Sequence, residues 1–179
     1  MFVQTEETPN PNSLKFLPGK KVSNSGPYEI TNKDQIQNEL VRNILSINGV
    51  TGIFLGQDFL SVNKNDNIEW DEIKHIVVSL INDFYLDGKE FVIDENIKEN
   101  VSDLSEIEEK IVKILEQKIR PAVARDGGDI KFKEFKDGVV KVQLQGSCSG
   151  CPSSTMTLKQ GVQNLLCHYI PEVREVVAI

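Results

Sequence analysis

Cys148 and Cys151 stand in the run Gly146-Ser147-Cys148-Ser149-Gly150-Cys151-Pro152-Ser153-Ser154. Thiols separated by two residues can face a single metal centre, because the loop between them turns back on itself. Gly146 and Gly150 supply the backbone freedom such a turn needs. Pro152 suits the first position of a helix, where its missing N–H costs nothing. Cys151 is then the expected N-cap, and both sulfurs lie at the positive pole of the helix. That pole favours a nearby anion by about 0.3–1 kcal/mol and draws a thiol toward the thiolate that metals bind. The N–H groups of Ser153 and Ser154, together with the serine hydroxyls, are expected to point at metal-bound sulfide, a contact that tunes cluster potentials.

A tetrahedral zinc or a cubane iron–sulfur cluster generally takes about four protein ligands, and this motif supplies two. The third cysteine, Cys167, is 16 residues beyond Cys151. On a helix rising about 1.5 Å per residue it lies roughly 20 Å from the loop and does not reach the same centre. The missing donors come from a second copy of the chain, a small thiol or a client protein. A symmetric pair of CxxC loops across a dimer axis is the economical arrangement. Such a site is shallow and opens when the halves separate. Three chemistries stay open on the residues alone: a cluster scaffold and carrier, an oxidoreductase cycling a Cys148–Cys151 disulfide, and a zinc-stapled interaction module. In thioredoxin-like dithiols the helix opens at the first cysteine, whereas here Pro152 follows the second.

Other candidates read as structural. Cys167, beside Leu166, reads as a small core hydrophobe, and His168 as a helix-end residue at the negative pole. Asp126 and Asp129 flank Gly127-Gly128 after a helix and read as a C-cap turn rather than a carboxylate pair. His75 reads as a surface histidine. Trp70 reads as a staple or core plug before its helix, with a docking role as the alternative. No acid–base or nucleophile set accompanies the thiols, so an enzyme is not expected.

The elements that position the motif are legible from periodicity. Ser105 and Glu108 form a capping box, followed by Ile107, Ile111, Ile114 and Leu115 at helical spacing. Pro121 is expected to kink or loosen the last turns of that helix. Asp126-Gly127-Gly128-Asp129 stops it. Ile130–Phe135 and Val139–Leu144 read as strands around the hairpin turn Asp137-Gly138. A last helix carries Leu158, Val162, Leu165, Leu166 and Tyr169, and Val173–Ile179 closes as a strand. This C-terminal domain is α-β-β-α-β, with its helices on one face of a small sheet.

Upstream, short strands are expected at Val3, at Leu14–Phe16 around the turn-rich TPNPNS, and at Tyr28–Ile30. Asn32 is expected to cap a helix bearing Ile36, Leu40, Ile44 and Ile47. Val50–Leu55 and Phe59–Val62 read as a hairpin about Gly56-Gln57-Asp58. A second helix begins near Asp71 with the stripe Ile73, Ile76, Val77, Leu80, Ile81 and Phe84. The fold class is α+β: two small α/β domains, at 1–93 and 103–179, joined by a polar linker at 94–102. Phe91–Ile93 are expected to tack back onto the first domain.

A net charge of −7 over 179 residues disfavours general nucleic-acid or anionic-membrane binding. No apolar run approaches the roughly 18–20 residues of a membrane span, and the opening MFVQTEETPN lacks the features of a secretory signal. An odd cysteine count suits a reducing compartment in which thiols remain available to metal. The expected setting is the cytoplasm of a bacterium, or the mitochondrial matrix for a processed organellar form.

RPAVARDGGDI, GSCSGCPSSTMTLKQGV and IPEVREV, in that order, resemble the C-terminal domain of NifU-like (Nfu-type) proteins. TPNPNSLKFLPG resembles the N-terminal domain of the two-domain, mitochondrial-type members. The resemblance covers almost the whole chain. It implies that Cys148 and Cys151 bind a 4Fe–4S cluster shared between two subunits, one cluster per dimer. It further implies transfer of that cluster to apo-proteins, with lipoate-synthesis enzymes and respiratory proteins as typical clients, upstream assembly proteins as donors, and partner recognition by the N-terminal domain. Cys167 matches no ligand of the family.

Overall fold

The computed structural model describes residues 3–23, 27–89, 104–148 and 152–179, with side chains described from residue 155 onward in the last range. The chain divides into two compact units, Met1–Asp94 and Glu95–Ile179. Both contain helix and sheet, the α+β class expected from periodicity. The proposed linker and the Phe91–Ile93 triplet lie outside the described residues. No described helix is long and apolar enough to cross a membrane.

The first unit is built on the strands β1 (Gln4–Glu7), β2 (Ser13–Leu17), β3 (Tyr28–Ile30), β4 (Val50–Leu55) and β5 (Leu60–Lys64). They form one sheet in the order β1-β2-β5-β4-β3, with every neighbouring pair antiparallel. Helices α1 (Glu39–Leu45) and α2 (Trp70–Leu86) contribute to its core. Leu40, Val41 and Ile44 of α1 are buried, as are Ile73, Val77, Ile81, Phe84 and Tyr85 of α2. Ile76, expected in the α2 stripe, is instead 38% exposed. The buried line runs through positions 73, 77, 81 and 84, and Ile76 falls to its side.

One boundary departs from expectation. Asn32 caps only the 3-10 turn Lys33–Gln35, accepting from the Asp34 N–H at 2.9 Å. The chain is extended at Ile36 (φ −143°, ψ 146°), and α1 starts three residues later under a second cap, Asn38, whose Oδ1 accepts from the Val41 N–H at 3.2 Å. Two Asn caps compete here. The later one wins because it directs Leu40, Val41 and Ile44 together into the core, which Ile36 reaches from extended backbone.

The second unit follows the expected order. Helix α3 (Glu106–Ile114) opens with the complete Ser105–Glu108 capping box. It passes into a π-helical turn, Leu115–Ile119, and then α4 (Arg120–Arg125), with Pro121 in its first turn. The Arg120 N–H donates to the Leu115 carbonyl five residues back. Pro121 has no N–H for the next rung, so the widened turn is where the ladder absorbs the loss. Strands β6 (Gly128–Lys136) and β7 (Val139–Gly146) pair antiparallel about Asp137 (φ 53°) and Gly138 (φ 79°), both left-handed as the expected hairpin turn requires. After α5 (Pro152–Tyr169), strand β8 (Glu175–Ala178) pairs parallel to β7, giving the sheet order β6-β7-β8. Ile111, Leu115 and Val123 meet Ile130, Val140, Val142, Leu144, Val162, Leu166 and Val176 in one core.

Burial pushes the Tyr85 phenol up to about 12. A folded value above the unfolded value of about 10 contributes stability that is complete below that unfolded value and is lost as pH rises through the folded one. The first unit is therefore expected to lose stability between about pH 10 and 12. Tyr85→Phe is expected to flatten that alkaline loss, read as denaturation midpoints across the same range.

Candidate metal centre

The strand β7 delivers the motif and α5 carries it away. Gly146 ends β7 in the left-handed region (φ 67°), opposite Gly128 in the ladder. The next residue is held twice by the turn that ends α4. The Ser147 N–H donates to the Gly127 carbonyl at 3.3 Å, and the Ser147 hydroxyl donates to the Asp126 carbonyl. Ser147 is 2% exposed, so these bonds form away from water.

The turn is itself fixed. Asp126 and Gly127 donate their N–H groups to Val123 and Ala124, both at 3.1 Å, closing α4. Two residues on, the Asp129 carboxylate takes a bidentate pair from Arg120: Nε at 2.9 Å and a terminal nitrogen at 3.0 Å. The Asp129 side chain is 5% exposed. Its charge is stabilised there by this fork-to-carboxylate geometry, with the Arg120 side chain itself 31% exposed. The pair spans the helix end, the turn and the strand start, and so fixes where the turn presents its carbonyls. The C-cap reading of Asp126 holds, whereas Asp129 is an ion-pair partner.

Cys148 is buried, as part of the core of the second unit. Its carbonyl accepts from the Thr155 hydroxyl at 3.2 Å, which ties the first turns of α5 back to the motif. Its sulfur lies over Gly128: a Cβ built there would stand 2.8 Å from Sγ and 2.7 Å from the Gln145 carbonyl. The open, shallow loop expected from sequence is therefore walled on one side at Cys148, because a glycine in β6 leaves room for the thiol. Pro152 is the first residue of α5, as its chemistry predicts. Cys151, its N-cap role, and the side chains of Ser153 and Ser154 lie outside the described residues.

Within the second unit, Cys167 and His168 are not brought to Cys148. Cys167 is partly buried against the core near the far end of α5, about 22 Å along the helix from Pro152 at 1.5 Å per residue. His168 is exposed and meets the Tyr169 ring edge-on at 5.0 Å. His75 is exposed on α2 of the first unit. Trp70 opens α2, packs partly against the core, and donates its indole N–H to the Pro11 carbonyl at 3.0 Å, pinning the TPNPNS turn. Among the described residues no group of three or more His, Cys, Asp or Glu side chains could hold a metal ion.

Two family models match. A NifU-like domain covers residues 111–177, and the N-terminal domain of scaffold protein Nfu/NifU covers residues 3–88. NifU-like protein 4, mitochondrial, of Arabidopsis thaliana is 43% identical over 98% of this chain and 65% of its own length. The NFU1 iron-sulfur cluster scaffold homolog, mitochondrial, of Homo sapiens is 42% identical over 98% of this chain and 71% of its own. The homolog of that name from Drosophila erecta is 44% identical over 98% of this chain and 64% of its own. The chain thus spans about two thirds of the length of these relatives.

The packing of the thiol yields a paired test. Gly128→Ala is expected to destabilise the second unit by about 1–3 kcal/mol, since its methyl meets sulfur and backbone. Gly161→Ala, on an exposed face of α5 with nothing within 4 Å, is expected to stabilise by about 0.5–1 kcal/mol through helix propensity. Denaturant unfolding followed by circular dichroism distinguishes the two.

Proposed function

This chain belongs to the NifU-like family in its two-domain Nfu form, and from that premise we propose that it is an iron–sulfur cluster scaffold and carrier. Its cargo on this reading is a 4Fe–4S cluster held by Cys148 and Cys151 of two copies and passed to apo-proteins. The observation that supports it best is the contrast at the motif. One donor, Cys148, is anchored by Ser147 and Thr155 at the start of a helix. Yet the motif of one chain offers two thiols where a cubane cluster takes about four ligands. A centre anchored but half-ligated is completed by a second subunit.

In this role Cys148 and Cys151 supply thiolate donors, and the α5 N-terminus favours their negative charge. The Arg120–Asp129 pair and the Asp126–Gly128 turn set the position of the first donor. The N-terminal unit, with no cysteine in it, serves recognition of clients and of upstream assembly proteins. Cluster enzymes such as those of lipoate synthesis and respiratory proteins are the class of client. The mitochondrial setting of the relatives supports a matrix location; a bacterial cytoplasm is the other reducing compartment that suits free thiols.

Reconstitution with iron and sulfide in the absence of air is expected to give a brown protein with about four irons per dimer. Sedimentation is expected to show a monomeric apoprotein that dimerises on loading. Cys148→Ser and Cys151→Ser should each abolish uptake, while Cys167→Ser leaves it nearly intact. Equal loss from all three overturns the ligand assignment, and colourless protein with zinc bound overturns the scaffold reading.

A further inference from the structure

The two competing caps of the first unit leave a hollow between them. The 3-10 turn Lys33–Gln35 gives way to extended backbone at Ile36, which is buried, and α1 restarts from Asn38. Lys33 and Gln37 belong to the segment before the helix. Glu39, Arg42, Asn43 and Ser46 recur at helical spacing along α1 and so share one flank of it. Together these residues line an open cavity of about 340 Å³. None of them is apolar. The cavity offers nothing to a lipid or an aromatic ring and suits a small, charged, hydrogen-bonding ligand.

Its charge is unbalanced. Glu39 is already matched: the Lys89 ammonium stands 2.6 Å from its carboxylate, and that hydrogen bond and charge hold the Glu39 carboxyl below its ordinary range. Lys33 and Arg42 have no side-chain partner among the described residues. Elsewhere in the unit Lys15, Lys20 and Lys64 are each engaged by a carboxylate or a ring. Lys21 and Lys74 are unpartnered too, but they stand outside the cavity. In a chain of net charge −7, two unmatched cations on one hollow mark a place for an anion.

The lining selects among anions. A phosphate group concentrates close to two negative charges at one point, beside the carboxylate of Glu39. A dicarboxylate spreads its charges and presents one to each cation. The Arg42 guanidinium is a planar fork that matches the two oxygens of a carboxylate, while Lys33 is a point charge for the other. The amides of Gln37 and Asn43 both donate and accept. The Ser46 hydroxyl donates to the Arg42 carbonyl at 2.8 Å, which leaves its oxygen free to accept. A ligand hydroxyl between the two carboxylates uses these groups.

We propose that this cavity is a binding site for a small hydroxy-dicarboxylate, with Arg42 and Lys33 each holding one carboxylate and Gln37, Asn43 and Ser46 meeting the hydroxyl. The site belongs to the first unit alone and is independent of the cluster reading.

The test uses the full-length apoprotein in metal-free buffer, with malate as the probe. Calorimetry reads binding. Fluorescence of Trp70, the one tryptophan of the chain, reads unfolding of the unit that carries the cavity. Malate is expected to bind once per chain, more weakly as salt rises, and to raise the midpoint of the Trp70 transition. Arg42→Gln and Lys33→Gln are each expected to weaken binding by at least about tenfold. Both residues are exposed, so the midpoint without malate is expected to stay unchanged. Lys74→Gln, outside the cavity, is expected to bind as wild type does. Absence of malate binding at millimolar concentration overturns the proposal. So does binding that Arg42→Gln and Lys33→Gln leave intact, or that Lys74→Gln weakens equally. Inorganic phosphate binding as tightly as malate through the same two cations overturns the assignment to a dicarboxylate.

Discussion

A cysteine in a loop is only as well placed as the backbone on either side of it, and in this chain that placement depends on the bidentate pair between Arg120 and Asp129. The pair bridges the first residue of α4 and the start of β6, so the turn between them has a defined orientation. The turn's carbonyls then take both bonds from Ser147. Gly128, at its end, leaves the space into which the Cys148 sulfur fits. Each contact is modest, and a net hydrogen bond contributes about 0.5–1.5 kcal/mol. Their effect comes from their order along the chain: remove the ion pair and the carbonyls that receive Ser147 lose their reference. A part-buried charge pair of this kind is weak evidence for stability and better evidence for a specified geometry.

The π-helical turn acts on the same geometry from the other side. An uninterrupted helix from Glu106 to Arg125 would need an N–H at Pro121, which has none. The extra residue accommodated at Leu115–Ile119 turns Arg120 and the rest of α4 by roughly 100° relative to a regular helix. Leu115 stays in the core while Arg120 reaches Asp129. The proline and the arginine beside it thus do one job between them, the first redirecting the helix and the second locking the new direction.

Local chemistry makes much of this legible in the amino-acid order alone. The Ser105–Glu108 box, the Asp137-Gly138 hairpin and the helix start at Pro152 each rest on neighbours within a few residues, and each stands where expected. The expectation at Asn32 fails because the same cap chemistry recurs at Asn38, and only tertiary burial decides between them. The role of Asp129 is hidden for a different reason. Its partner is nine residues away across a helix end and a turn, a spacing that belongs to no period of helix or strand. Burial of Cys148 is likewise beyond reach, since it depends on Gly128, a residue whose local pattern marks a turn and nothing more.

That burial bears on what a carrier must do. Gly128 lies against the Cys148 sulfur and closes that side of it, so on the proposed reading the fold as well as the loop limits the direction in which a metal is taken up and surrendered. On that reading, donor, second copy and client all compete for the one motif. Occupation by a second copy protects the cargo, and its departure exposes the half-ligated centre to whichever thiolates come next. Transfer then needs no catalytic group: exchange of one pair of sulfur ligands for another suffices, driven by the difference in affinity between a shallow shared site and a client able to supply a complete one. A chain with more ligands of its own would hold its cargo more tightly and deliver it less readily, which is why half a coordination sphere fits a carrier better than a whole one.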